Sequence, residues 1–283
     1  MKNLKNFAIL SIFCLFLSSC CCLNTRQNTY SSFYKEKDDL VAIQKKSVVR
    51  IGVKRHAPPF SQKNSDQSLV GFDVDLAKSI SNELGVKCEL IPLDSKDRVP
   101  FLKNNRVDLV IATMTATRKR EQAIDFSIPY FEDGQGLICR KDSSIQSYSD
   151  LKNKKIGAAA GTTSYLNMQQ VQPECKMVAF KNYNAGVKAL LLGQIDAFTG
   201  DYLVLKGLQL NHEQSSALEL RGNRFTVEPY GVALRENQSN LRDSVNRILK
   251  TLWNNGTWSK IHSKWLGKDS AYKSNDNFTM KTL

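Results

Sequence analysis

Between residues 47 and 267 the apolar positions switch repeatedly between two periods. Short runs of strand-like pattern at 48–53, 88–93 and 107–112 read as strands, and the stretches between them, 74–84 and 97–103, carry apolar residues at helical spacing. Such βαβαβ alternation predicts a mainly parallel sheet with helices on both faces. A second set begins at Lys154, with strands at 156–160, 177–180 and 195–199 and helices at 164–171 and 185–192. It reads as a second lobe built to the same plan. Segments 134–140 and 225–234 lie where the chain would pass between the lobes, which makes them hinge candidates. Amphipathic helices at 241–253 and 258–265 close the domain, and their tryptophans read as core packing.

The two ends follow another pattern. Lys2 and Lys5 precede the apolar run 7–17, about half of the ~20 residues needed to span a bilayer, as in an export signal. The stretch Leu17-Ser18-Ser19-Cys20 resembles the lipobox of bacterial lipoprotein signals, which implies a signal peptide over 1–19, a lipid anchor on Cys20 and a membrane attachment through it. Residues 20–46 are polar and aperiodic and read as a tether, and 268–283 read as a flexible tail. The lobes are then expected over 47–137 plus 231–267 and over 138–230.

Composition narrows the class. The 283 residues are 41% hydrophobic and 24% charged, which suits a globular body with two lobes. The net charge of +13 favours an anionic partner. Lys and Arg are spread along the chain and no basic helix interleaved with aromatics stands out, so nucleic acid is set aside. The adjacent Cys20, Cys21 and Cys22 lack the spaced ligand pairs of a zinc site. Export permits a disulfide, and the pairing of Cys88, Cys139 and Cys175 stays open. His56, His212 and His262 are isolated and no HExxH helix, phosphate loop or Ser/His/Asp order is present, so neither a catalytic site nor a metal or cofactor is expected.

Ligands of open α/β sheets bind beyond the carboxyl ends of the strands, near helix N-termini. After strand 107–112 comes Thr113-Met114-Thr115-Ala116-Thr117-Arg118-Lys119-Arg120, where hydroxyls and an arginine fork suit a carboxylate. After strand 156–160 comes Gly161-Thr162-Thr163-Ser164, a second anion cradle. Asp201 follows strand 195–199 in the same layer and could pair with an ammonium group. Carboxylate grips and an ammonium acceptor on two facing lobes together describe an α-amino acid.

Four strings make a resemblance specific: Gly71-Phe72-Asp73-Val74-Asp75-Leu76, the spacing Thr115-x-Thr117-x-x-Arg120, Asp125-Phe126-Ser127-x-Pro129-Tyr130, and Lys155-Ile156-Gly157 through Gly161-Thr162-Thr163. In this order the chain resembles the polar amino-acid-binding family of ABC-transporter substrate-binding proteins. The resemblance implies a periplasmic-binding-protein-like type II α/β fold, two doubly wound lobes on a two-strand hinge that closes on ligand. It also implies the membrane subunits of an ABC transporter as partners, and a monomer. Arg120 would hold the α-carboxylate with Thr113, Thr115 and Thr163, and Asp201 the α-ammonium, with Thr162 also among the ligand-binding residues.

The side-chain pocket falls at Lys54, Ala57 and Ser95, without the aromatic sandwich of relatives that bind glutamine or basic amino acids. The string Ser95-Lys96-Asp97-Arg98-Val99-Pro100 is similar to the ligand-contacting segment of glutamate/aspartate-binding relatives. A buried second carboxylate needs a second cation, which Arg98 and Lys54 could supply. The expectation is therefore capture of glutamate or aspartate. The alternatives are glutamine or another polar amino acid, or a cyclohexadienyl dehydratase-like enzyme on the same fold.

Overall fold

The computed structural model describes residues 38–274 and 278–280. The signal segment, Cys20 and the tether as far as residue 37 lie outside the described residues. Residues 39 onward form one unit.

The unit opens with helix α1 (Asp39–Lys46), which runs into strand β1 (Val48–Lys54). A tether was expected over 39–46; instead Ile43 is buried, and Asp39 accepts from Arg235 Nε at 2.6 Å while its N–H donates to Gln238 at 2.8 Å. One turn of charge pairing docks a segment whose composition alone looked unstructured. After β1 come the small hairpin β2 (Gln62–Lys63) and β3 (Leu69–Val70), helix α2 (Phe72–Glu83), strand β4 (Lys87–Leu93), helix α3 (Arg98–Lys103), strand β5 (Leu109–Val110), the short helix α4 (Arg118–Glu121) and strand β6 (Asp125–Asp133).

The second set comprises β7 (Gln135–Arg140), β8 (Lys155–Ala159), α5 (Ser164–Val171), β9 (Lys176–Phe180), α6 (Tyr183–Leu191), β10 (Ala197–Asp201), α7 (Tyr202–Asn211) and β11 (Leu218–Arg221). The chain then returns as β12 (Glu228–Leu234) and ends in α8 (Ser239–Asn254) and α9 (Thr257–Leu266).

The first sheet has the order β4-β1-β5-β12-β6 and the second β9-β8-β10-β7-β11. In each, four strands run in one direction and one, β12 in the first and β7 in the second, runs against them. The two lobes thus have the same strand plan. Sheet membership changes at Gly134, between β6 and β7, and between β11 and β12. This corrects the expected boundaries at 137/138 and 230/231: β7 belongs wholly to the second sheet and β12 is an inner strand of the first.

The first lobe carries the larger core. Phe60 and Phe72 meet Phe131 edge-on at 5.3 and 5.4 Å, and Phe60 meets Tyr230 at 5.7 Å; such aromatic pairs each add roughly 0.5–1.5 kcal/mol beyond area burial. Helix α8 buries Leu241, Val245, Ile248, Leu249 and Leu252, one helical stripe. The tail is only partly as expected. Tyr272 donates to Asn211 at 2.9 Å, Phe278 stacks on Phe131 at 6.0 Å and Met280 is buried, so aromatic side chains that the sequence left unassigned pin its described portion.

Candidate functional site

The carboxyl ends of the parallel strands in the two sheets face one another. Lys54 ends β1, Ser95 follows β4, and Thr113 and Thr115 follow β5; opposite them, Gly161, Thr162 and Thr163 follow β8, and Asp201 ends β10. The two edges touch at Gly161, whose carbonyl accepts from Arg98 Nη2 at 2.8 Å and Arg120 Nη2 at 3.0 Å. With φ at +81° and a would-be Cβ only 2.5 Å from Lys96 Cα, position 161 requires glycine for this approach. All nine residues expected to bind ligand therefore sit on these two edges.

What each side chain bonds differs from expectation. Arg98 is 2% exposed, and its Nε donates to Ser95 O, Nη1 to Ala112 O and Thr113 O, and Nη2 to Gly161 O, all at 2.8–3.0 Å. Four of its five N–H groups are thus spent on backbone carbonyls. Arg98 is a brace that ties the loops after β4, β5 and β8, with one N–H left over. The expected free second cation is corrected to that extent. Burial lowers the pKa of its guanidinium.

Arg120 is more open. Its Nη1 donates to Thr115 O at 2.7 Å and its Nη2 to Gly161 O, which leaves Nε and one N–H on each terminal nitrogen. Burial, then repulsion from Arg98, pulls its pKa down to about 9. A guanidinium with unspent donors, held beside another cation in a desolvated cleft, is built to receive an anion.

Lys54 is 2% exposed, donates to Ser95 Oγ at 2.6 Å and lies 4.9 Å from the centre of the Tyr183 ring. Burial, followed by the charge of Arg98, lowers its pKa to about 7, against the pull of Asp201 and Asp73. Asp201, 4% exposed, accepts from Tyr183 Oη at 3.1 Å. Beneath this layer Asp73, from the first turn of α2, accepts from Thr113 N at 2.9 Å and Tyr130 Oη at 2.9 Å. It thereby fixes Thr113 in the left-handed region at φ 43°; burial raises the Asp73 pKa to about 7.

The hydroxyls divide into two groups. Thr113 Oγ1 is buried with no hydrogen-bond partner, and Thr162 Oγ1 is turned onto Ala159 O at 2.7 Å as a local cap. Thr115 and Thr163 both donate to Glu228 Oε2, at 2.5 and 3.1 Å. The sequence reading missed Glu228, Tyr183 and Asp73. An acid at the head of an apolar strand inside a hinge candidate was the available signal for Glu228, and Asp73 lay within a quoted string; Tyr183, at a helix start, carried none.

No group of three or more His, Cys, Asp or Glu suited to a metal ion occurs among the described residues. Cys88, Cys139 and Cys175 are free thiols. No described helix is long and apolar enough to cross a membrane. His56 lies outside the strand-end layer, in a cleft of about 540 Å³ with Leu208 and Asn211.

Comparison with known proteins gives a consistent picture. The profile of bacterial extracellular solute-binding proteins, family 3, matches residues 49–268. The ABC transporter glutamine-binding protein GlnH of Bacillus subtilis (strain 168) is 36% identical over 96% of this chain and all of its own length. ABC transporter arginine-binding protein 1 of Escherichia coli (strain K12) is 31% identical over 77% of this chain and 90% of its own. Among solved structures, an ancestral arginine-binding protein bound to glutamine superposes with a TM-score of 0.74 at 38% identity, covering 78% of this chain and 99% of that one.

Proposed function

The chain belongs to the bacterial extracellular solute-binding proteins of family 3, and we propose that its ligand is a polar L-amino acid, L-glutamine first, captured between the two lobes. As a family member it is an exported amino-acid-binding component of an ABC transporter. The observation that carries the ligand class is the opposition of Arg120, with three unspent N–H groups, to the buried carboxylate of Asp201. On this reading Arg120 takes the α-carboxylate and Asp201 the α-ammonium, and Lys54 with Ser95 faces the side-chain carbonyl oxygen.

The relatives support glutamine over the glutamate or aspartate expected from the segment 95–100, since they are a glutamine-binding protein, an arginine-binding protein and an ancestral arginine-binding protein bound to glutamine. Two features of the pocket agree. Arg98 is largely committed to carbonyls, and burial lowers the Lys54 pKa to about 7, so it is no fixed counter-charge for a second carboxylate. Glutamate remains as a second reading because Lys54 and Arg98 are both buried cations at that end of the cleft. The proposal includes a lipid anchor on Cys20, a monomeric body and lobes that divide at Gly134 and residues 222–227.

The test is calorimetric titration of residues 38–283, freed of co-purified ligand, against glutamine, glutamate, aspartate, arginine and prephenate. Tight binding of glutamine is expected. A preference for glutamate would move the assignment to the second reading, and turnover of prephenate would make the protein an enzyme.

A further inference from the structure

We propose that Glu228 is a positioning residue that couples lobe closure to ligand capture, an inference that rests on the amino-acid-binding reading above. Glu228 heads β12, immediately after the second crossing between lobes, and is 2% exposed. Its carboxylate takes four hydrogen bonds. Oε2 accepts from Thr115 Oγ1 at 2.5 Å and Thr163 Oγ1 at 3.1 Å; Oε1 accepts from Asn167 Nδ2 at 2.8 Å and Thr226 Oγ1 at 3.2 Å. Thr115 belongs to the site loop of the first lobe, while Thr163 and Asn167 belong to the loop and helix α5 of the second. Thr226 lies on the crossing itself and also accepts from the N–H of Gln135 on the other crossing, at 2.9 Å. One carboxylate therefore joins both lobes and both crossings.

A hydroxyl carries one proton. Thr115 and Thr163, expected from the sequence to donate to the ligand carboxylate, spend that proton on Glu228 instead. Their effect on the ligand then runs through the geometry Glu228 imposes: the carbonyl of Thr115 holds Arg120 Nη1 at 2.7 Å, so fixing Thr115 fixes the guanidinium that grips the ligand. When the lobes part, Thr163 and Asn167 leave the carboxylate and Thr115 loses half of its bracket. Closure and the aiming of Arg120 are one event.

The experiment is titration of the purified protein with L-glutamine in wild type, Glu228→Ala, Glu228→Gln, Thr163→Val and the Glu228→Ala/Thr163→Val double variant, with dissociation rates by stopped flow. Glu228→Ala should weaken binding about 10-fold or more, the scale of hydrogen bonds to a charged group, with most of the loss in dissociation. Glu228→Gln keeps one of the two acceptor oxygens without the charge and should lose less than Glu228→Ala. Thr163→Val should cost several-fold alone and almost nothing on top of Glu228→Ala, because the two act as a unit. Additive losses, or a Glu228→Ala affinity equal to wild type, overturn the proposal. Should the wild type bind no amino acid, the functional reading fails and small-angle scattering judges the latch by itself: a larger radius of gyration in Glu228→Ala supports it, and an unchanged radius overturns it.

Discussion

The two lobes share one strand plan yet bring opposite chemistry to the cleft. The first edge carries Lys54, Arg98 and Arg120, with the carboxylates of Asp73 and Glu228 already taken up by hydrogen bonds; the second carries Asp201 and, apart from hydroxyls and the Asn167 amide, backbone. Three cations crowded on one buried edge repel one another, and the lowered pKa values of Lys54 and Arg120 record that repulsion beneath the larger effect of burial. An anion relieves the strain on the first lobe, whereas the second offers a place for a cation. A duplicated architecture has thus been polarised to suit a zwitterion, and neither lobe alone complements both ends of it.

The sharpest way to break this contrast is Arg120→Ala. Removing one side of a buried charge pair costs roughly 3–5 kcal/mol, so glutamine binding should fall by two orders of magnitude or more in calorimetry. An unchanged affinity would remove Arg120 from the site. Arg98→Ala comes next. It removes a donor from four backbone carbonyls, of which Gly161 keeps a second in Arg120, and should lower the melting temperature by several degrees while weakening glutamine and glutamate alike. A loss confined to glutamate would restore Arg98 as a side-chain ligand.

On the opposite edge Asp201→Asn keeps the shape and removes the charge. About 10-fold weaker binding is expected, with the acid variant Asp201→Glu also impaired because the Tyr183 contact sets its position. The smallest effect concerns protons. Lys54 titrates near pH 7, and a nearby anion raises that value, so a ligand carboxylate draws a proton onto the amine at pH 7 to 8. Glutamate affinity should therefore fall as pH rises from 6 to 9, more than glutamine affinity does, and glutamate titrations in buffers of different ionisation heat should reveal the larger proton uptake. Parallel pH profiles for both amino acids would place Lys54 away from the side chain.

Much of this architecture was legible in the chain. Runs such as 48–53, 164–171 and 177–180 fall within two residues of β1, α5 and β9, because local periodicity and burial agree there. What escaped depends on distant partners. Helix α1 is held by Arg235, some 196 residues away, and β12 is an inner strand only because β5 and β6 flank it. The site followed the same division. Strand ends placed the right side chains in one layer, but whether an arginine meets ligand or carbonyl was decided by Ala112 and Gly161, 14 and 63 residues from Arg98. Spacing along the chain carries no information about those carbonyls.

The position of β12 also sets the order in which the molecule can be finished. The second sheet has all its strands once residue 221 has been made, but the first, begun at residue 48, stays split between β5 and β6 until residue 234 is available. The earliest part of the chain to be synthesised is thus the last to close. A chain ending before residue 228 therefore lacks the one strand that joins β5 to β6.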